Sequence, residues 1–195
     1  MTRRVPLLPT LIVLVAAGIM VALGFWQLER RAEKEALLAT YARAAAIDAE
    51  TAWPREPADY AAALYRRASV TCARVEGIDE VAGRSSEGRS GWAHVARCRL
   101  ADGSAAAIAL GWSDRPYPPV WRGGPVTGIV ASAGKGVRLV AAPAQAGLAP
   151  LAAPDPASIP NNHLSYAVQW FAFAATALVI YVLALRRRWT SPSAR

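Results

Sequence analysis

Two stretches of the chain run without a charged side chain for longer than the elements of a small soluble domain need. The first covers residues 5–28 and the second the 22 residues 164–185. A helix of that length rises about 33 Å, enough to cross the roughly 30 Å hydrocarbon core of a bilayer. Arginines bracket both stretches: Arg3 and Arg4 precede the first, and Arg186, Arg187 and Arg188 follow the second. The pattern predicts an N-terminal tail with a first transmembrane helix over residues 1–28, a second over 164–185, and a basic tail over 186–195. The first apolar stretch is too long for the h-region of a cleaved signal peptide, and no small-x-small site follows it closely. It reads as an uncleaved signal anchor.

Residues 29–163 lie between the spans and suffice for one compact domain. Residues 29–47 are rich in Ala, Leu, Glu, Lys and Arg without Pro or Gly, so the first helix is expected to continue beyond its span, with Leu37, Leu38 and Tyr41 as an apolar stripe. Pro54 and Pro57 end it, and Asp59 is the expected N-cap of a short helical turn. Across residues 60–141 the pattern turns to short apolar runs bounded by Gly, Asp, Pro and Ser. Strands are predicted at 68–75, 92–100, 105–112, 126–131 and 137–141, with a Gly-containing hairpin turn at 101–104. Five prolines among alanines over 142–160 predict a semi-extended tether. The fold class is thus an α+β membrane protein: two transmembrane helices flanking one small antiparallel β-rich extracytoplasmic domain.

Charge refines the topology. The tails carry Arg3, Arg4, Arg186, Arg187, Arg188 and Arg195, against Arg30, Arg31, Lys34 and Arg43 on the loop flanks, which favours both termini in the cytoplasm. The net charge of +8 would point to nucleic acid in a soluble protein. Here much of the excess adjoins the spans, where lipid headgroups account for it, so membrane lipid is expected as a partner and nucleic acid is not. Only Lys34 and Lys135 of the 22 basic residues are lysine and alanine is abundant, a composition of GC-rich bacterial genomes.

Cys72 and Cys98 both fall in the extracytoplasmic part. An oxidising compartment allows a disulfide, which would contribute roughly 3 kcal/mol in the chain-entropy model, while two buried thiols are the plain alternative. A two-thiolate metal site ranks last for want of a close Cys-x-x-Cys or a neighbouring His. His94, in a strand-like segment with no second ligand near it, reads as a solvent-facing or hydrogen-bonded histidine. Ser132-Ala133-Gly134-Lys135 has the Ser-x-x-Lys spacing of some acyl enzymes, but its glycines predict a turn where that chemistry needs a helix start.

The chemistry concentrates at one membrane face. Two helices joined by a translocated domain cross in opposite directions, so Gly24, Trp26, Gln27 and Arg30 end the first span at the depth where His163, Tyr166 and Trp170 begin the second. His163, Tyr166, Ala167, Trp170 and Ala174 follow the spacing of one helical face. An imidazole above aromatic and small residues suits a flat, apolar iron macrocycle, and Arg30 and Arg31 would meet its carboxylates. Interfacial aromatics and a helix-entrance histidine also occur for general reasons. Asn161 and Asn162 are expected as N-caps, and Gly18 and Ala22 form a small-x-x-x-small surface for helix packing.

Asn162-His163-Leu164-Ser165-Tyr166-Ala167, followed by Gln169-Trp170-Phe171, resembles the signature at the entrance of the last span in the surfeit-locus (Shy-type) family of cytochrome c oxidase assembly factors. Gly24-Phe25-Trp26-Gln27-Leu28-Glu29-Arg30 is similar to that family's block at the exit of its first span, with weaker correspondences at 65–67, 91–92, 111–112 and 126–128. The chain departs from the family at Ala32, Glu33 and Leu110. The resemblance implies a two-span bacterial inner-membrane protein with a periplasmic domain, a non-enzyme in respiratory chain biogenesis. It would assist insertion of haem A, a transient cargo, into the oxidase's largest subunit, subunit I. Its partners would then be that subunit and the haem A synthesis machinery, and a homo-oligomer is compatible with the pattern. His163 is the implied iron ligand, with Trp26, Gln27, Arg30, Tyr166 and Trp170 around it. The alternative is a haem-free membrane scaffold for the assembling subunit.

Overall fold

The computed structural model describes residues 5–190, so Arg3, Arg4 and Arg195 of the charge argument lie outside the described residues. The chain forms two compact units, Met1–Leu37 with Pro160–Arg195, and Leu38–Ile159.

The first unit is an antiparallel helix pair. Helix α1 is Leu7–Ala45, and its last residues belong to the second unit; the partner helix, α3, is His163–Thr190. Both are long and apolar enough to cross a membrane, and only 11% and 6% of their apolar windows are buried. That exposure distinguishes them from the core helices of a soluble protein, since Leu11, Ile12, Val15, Ile19, Ile180 and Leu183 all face outward. The seam is read from the residues that do lose exposure. On α1 the positions that repeat along one face are Thr10, Val13, Ala17, Met20, Gly24 and Gln27, with Ala16, Leu23 and Leu28 partly buried beside them; on α3 they are His163, Ala167, Trp170, Ala174, Ala177 and Tyr181, with Phe171 partly buried beside them. Steps alternating between three and four residues are those of left-handed helix packing, with the small residues Ala17, Gly24, Ala167 and Ala174 fully buried at the centre. The small pair expected at Gly18 and Ala22 lies off this seam: both are exposed, and nothing stands within 4 Å of where a Gly18 Cβ would be.

A polar contact closes each end of the seam. Thr10 Oγ1 donates to the Pro6 carbonyl at 2.7 Å and accepts from Tyr181 Oη. At the other end Gln27 meets His163. Seventeen residues of helix separate Thr10 from Gln27, about 25 Å, so the two contacts stand roughly one hydrocarbon core apart.

The second unit is a closed five-stranded barrel in the order β1-β2-β3-β5-β4. Its strands are β1 Arg67–Arg84, β2 Ser90–Leu100, β3 Ala105–Ser113, β4 Gly124–Ala133 and β5 Gly136–Ala141. All pairings are antiparallel except β3 with β5, whose parallel pairing joins two strands that are not consecutive. β1 runs nine residues past its expected end. Register shifts between Cys72 and Arg74 and between Val75 and Gly77 bend it from β4 toward β2, so its charged second half is paired on one side only. Alternation sends Ala68, Val70, Ile108, Leu110, Val130 and Leu139 inward to the core. Cys72 and Cys98 join β1 to β2 inside it as a disulfide with a Cα–Cα distance of 5.4 Å.

Three local expectations shift for identifiable reasons. Helix α2, Pro57–Ala63, starts ahead of Asp59, because Pro57 supplies the fixed φ suited to a first helical position and Glu56 stands at the N-cap. The segment after β5 is not a free tether through its first half. Leu148 enters the core, and the backbone of residues 145–152 bonds Leu110, Trp112 and Arg84 at 2.7–3.1 Å. The Ser-x-x-Lys segment is the β4–β5 turn, where Gly134 takes a φ of +61°.

Candidate functional site

His163 is the first residue of α3, and its partly buried ring lies beside Gln27 of α1. Nδ1 stands 2.7 Å from Gln27 Oε1. A carboxamide oxygen can only accept, so Nδ1 is the donor, and in the neutral imidazole Nε2 is the nitrogen with the free lone pair. An outer partner that fixes one ring nitrogen in this way leaves the other as a metal ligand in a set tautomer and orientation. His163 belongs to no group of three or more His, Cys, Asp or Glu that could hold an ion among the described residues. A bare cation would therefore find one protein donor here, whereas iron in a macrocycle would bring its own ring nitrogens and would need a single imidazole from the protein. The residues fit such a group.

The surrounding residues divide between the seam and the surface. Trp170 follows His163 on the seam, and its ring meets Phe173 edge-on at 6.2 Å. Tyr166 does not share that face; it is 49% exposed, one step around the helix from the buried Ala167. Trp26 is also exposed, with the Arg30 guanidinium 5.5 Å above its ring. Arg30 further bonds Glu33 at 2.8 Å, and Arg31 bonds Glu35 at 2.7 Å. These exposed pairs one helical turn apart are worth only about 0.3–0.5 kcal/mol each, so either arginine exchanges its carboxylate for another at little expense. The structure thus joins His163 to Gln27, sets Trp170 two helical turns farther along the same seam, and leaves Trp26, Arg30 and Tyr166 on the outer surface.

The asparagines before α3 do not cap it through their side chains. Asn161 Oδ1 is buried with no partner, and Asn162 contributes its carbonyl, which accepts from Ser165 Oγ at 2.8 Å and from the Tyr166 amide at 3.3 Å. What sequence reasoning missed is the far clasp, Thr10 with Tyr181. A hydroxyl pair 171 residues apart leaves no local signal, although a polar residue on each apolar stripe was visible.

In the barrel, His94 is fully buried and hydrogen-bonded, the second of the two settings expected for it. Ser113 Oγ gives its hydrogen to the Arg115 carbonyl at 2.6 Å, so it accepts from His94 Nε2 at 2.7 Å, and Nδ1 is left buried without a partner. Burial pushes this imidazole below its ordinary value, against a smaller upward pull from Glu80. Asp102 in the β2–β3 turn is held down at about 2, chiefly by the Ser104 hydroxyl and amide and then by Arg55.

A family model described as the SURF1 family matches residues 14–175, from the middle of the first span into the second. No curated protein is similar enough to this sequence to count as a match. With both blocks of the helix pair and the whole barrel inside the matched range, the chain belongs to the SURF1 family, which is linked to cytochrome c oxidase assembly.

Proposed function

We propose that this assembly factor binds haem A at the His163 end of its helix pair and assists its insertion into the largest subunit of the oxidase. The observation that carries the reading is the hydrogen bond from His163 Nδ1 to Gln27 Oε1, which orients the ring so that Nε2 would be the nitrogen to hold iron. Haem A is cargo here, not a resident cofactor. One protein ligand suits that role, since release breaks one iron–nitrogen bond. Trp26 and Tyr166 offer exposed aromatic surface at the same end, and Arg30 and Arg31 offer forked donors held only by weak surface pairs.

In the same reading the chain is an inner-membrane protein of a bacterium with both termini cytoplasmic and the barrel periplasmic. Its partners are the oxidase subunit and the machinery that makes haem A, and it performs no catalysis of its own. The broad outward apolar surface of α1 and α3 supports a second reading, a haem-free scaffold that packs against the assembling subunit. A strain lacking this protein, complemented with wild type or His163→Ala, separates the two. Haem loading predicts an oxidase deficient in haem A with the variant, whereas full haem A content with His163→Ala favours the scaffold.

A further inference from the structure

The barrel carries a second candidate site on its outer wall. Alternation along β3, β4 and β5 sends Ala109, Ala131 and Val140 outward while Ile108, Val130 and Leu139 point to the core. These outward residues form a small apolar cluster with Leu151. Beside it lies a cavity of about 200 Å³, floored by Gly83, Ala93 and Ala109, flanked by Leu151, and lined by the two guanidinium side chains of Arg84 and Arg138. No carboxylate lines it. Among the described residues neither arginine has an ion pair; Arg84 donates only to the Gly88 carbonyl, at 2.9 Å. Arg138 Nε is buried with no hydrogen-bond partner.

A buried guanidinium N–H without an acceptor, as at Arg138 Nε, is unfavourable by itself, and Arg84, though exposed to water, brings a second positive charge to the same cavity. An oxyanion would give the Arg138 Nε–H its acceptor and meet the charge of Arg84. The floor narrows the choice. Placing a phosphate against methyl groups strips water from a strongly hydrated ion, whereas a carboxylate on a short alkyl stem lays its own apolar part there. We infer that this cavity binds a single carboxylate carried on a short apolar stem, between Arg84 and Arg138. The same chemistry has two sources, a free alkyl carboxylic acid or a glutamate side chain on a partner polypeptide.

The test uses the full chain in detergent micelles with nitrogen-15 arginine, following the Arg138 Nε–H resonance. Butyrate, inorganic phosphate and a short alanine peptide with one central glutamate are titrated in turn. Butyrate is expected to give a saturable shift with higher affinity than phosphate. A peptide binding more tightly than butyrate assigns the pocket to a polypeptide partner, and weaker binding assigns it to a free acid. Arg138→Gln with an otherwise unchanged amide spectrum should bind butyrate about tenfold more weakly, as expected for loss of a charge-assisted hydrogen bond. Arg84→Gln serves the same comparison should Arg138→Gln fail to fold. A resonance that does not saturate, phosphate binding as tightly as butyrate, or a folded variant with unchanged affinity overturns the inference.

Discussion

Gly24 of α1 lies against the ring of Phe171 of α3 so closely that a Cβ there would stand 2.5 Å from Phe171 Cε1. The ring also packs edge-on against Phe25, with centroids 5.4 Å apart. Gly24→Ala therefore requires the Phe171 ring to shift at the end of the pair that holds Gln27 and His163. Overpacking of this kind costs about 1–3 kcal/mol, more than the gain of under about 1 kcal/mol in helix propensity. Thermal unfolding in detergent should show a destabilised Gly24→Ala and a neutral or slightly stabilised Gly18→Ala, whose Cβ meets open space. Equal behaviour of the two variants would contradict the seam.

Gln27 acts on the proposed ligand without touching iron. Gln27→Ala removes the acceptor for His163 Nδ1, and loss of such an outer partner weakens metal affinity about 10–100-fold. Gln27→Glu keeps an acceptor oxygen in place and should retain most of it. Haem titration of the apo protein, followed by absorbance, measures both; indifference of affinity to Gln27→Ala would remove this residue from the site.

The disulfide between Cys72 and Cys98 closes a loop across 26 positions in the barrel. Loop entropy of that size corresponds to about 3 kcal/mol. Replacing both cysteines with alanine should lower the barrel's melting temperature by several degrees and leave the spectrum of bound haem unaltered. A melting temperature unchanged within error would mean the core holds β1 and β2 together unaided.

His94 gives the barrel a pH dependence with a defined sign. The unfolded chain takes up a proton at this residue near pH 6.5, whereas burial keeps the folded imidazole neutral to lower pH. Stability from this group is complete above that value and declines as the pH falls below it. The side chains around His94 are Ser113, Tyr117 and Glu80, and only the Glu80 carboxylate opposes the decline. Asp102 and Glu76, whose carboxyls are held low, lose their contributions at lower pH still. Melting temperatures between pH 7 and 5 should fall for wild type and stay nearly level for His94→Gln, which retains a donor for Ser113; parallel slopes would exclude His94.

Much of the architecture was legible because its signals are local. Charge-free runs gave both helices, and Gly, Asp and Pro punctuation gave five strands, all but β1 close to their observed bounds. Barrel closure was not, since the parallel pairing of Ile108 and Ala109 with Leu139 and Val140 depends on contacts about 31 residues apart. The long β1 was hidden by its charges, which an outward-facing strand tolerates and a hydropathy pattern does not register. The tether expected after Ala141 concealed Leu148, one buried side chain among alanines and prolines. At the site, helical spacing grouped Tyr166 with His163, but a three-residue step advances about 300°, and the four-residue step to Ala167 is the one that follows the seam.

The proposed role of His163 in holding haem A is tested most directly by the visible spectrum of the protein. Wild type and His163→Ala are purified in detergent from a host that makes haem A, and the bound haem is extracted and identified. A haem A spectrum in the wild type that is absent from a folded His163→Ala is the predicted result. Colourless wild-type protein that still restores oxidase assembly, or a variant that retains its haem, would contradict the account.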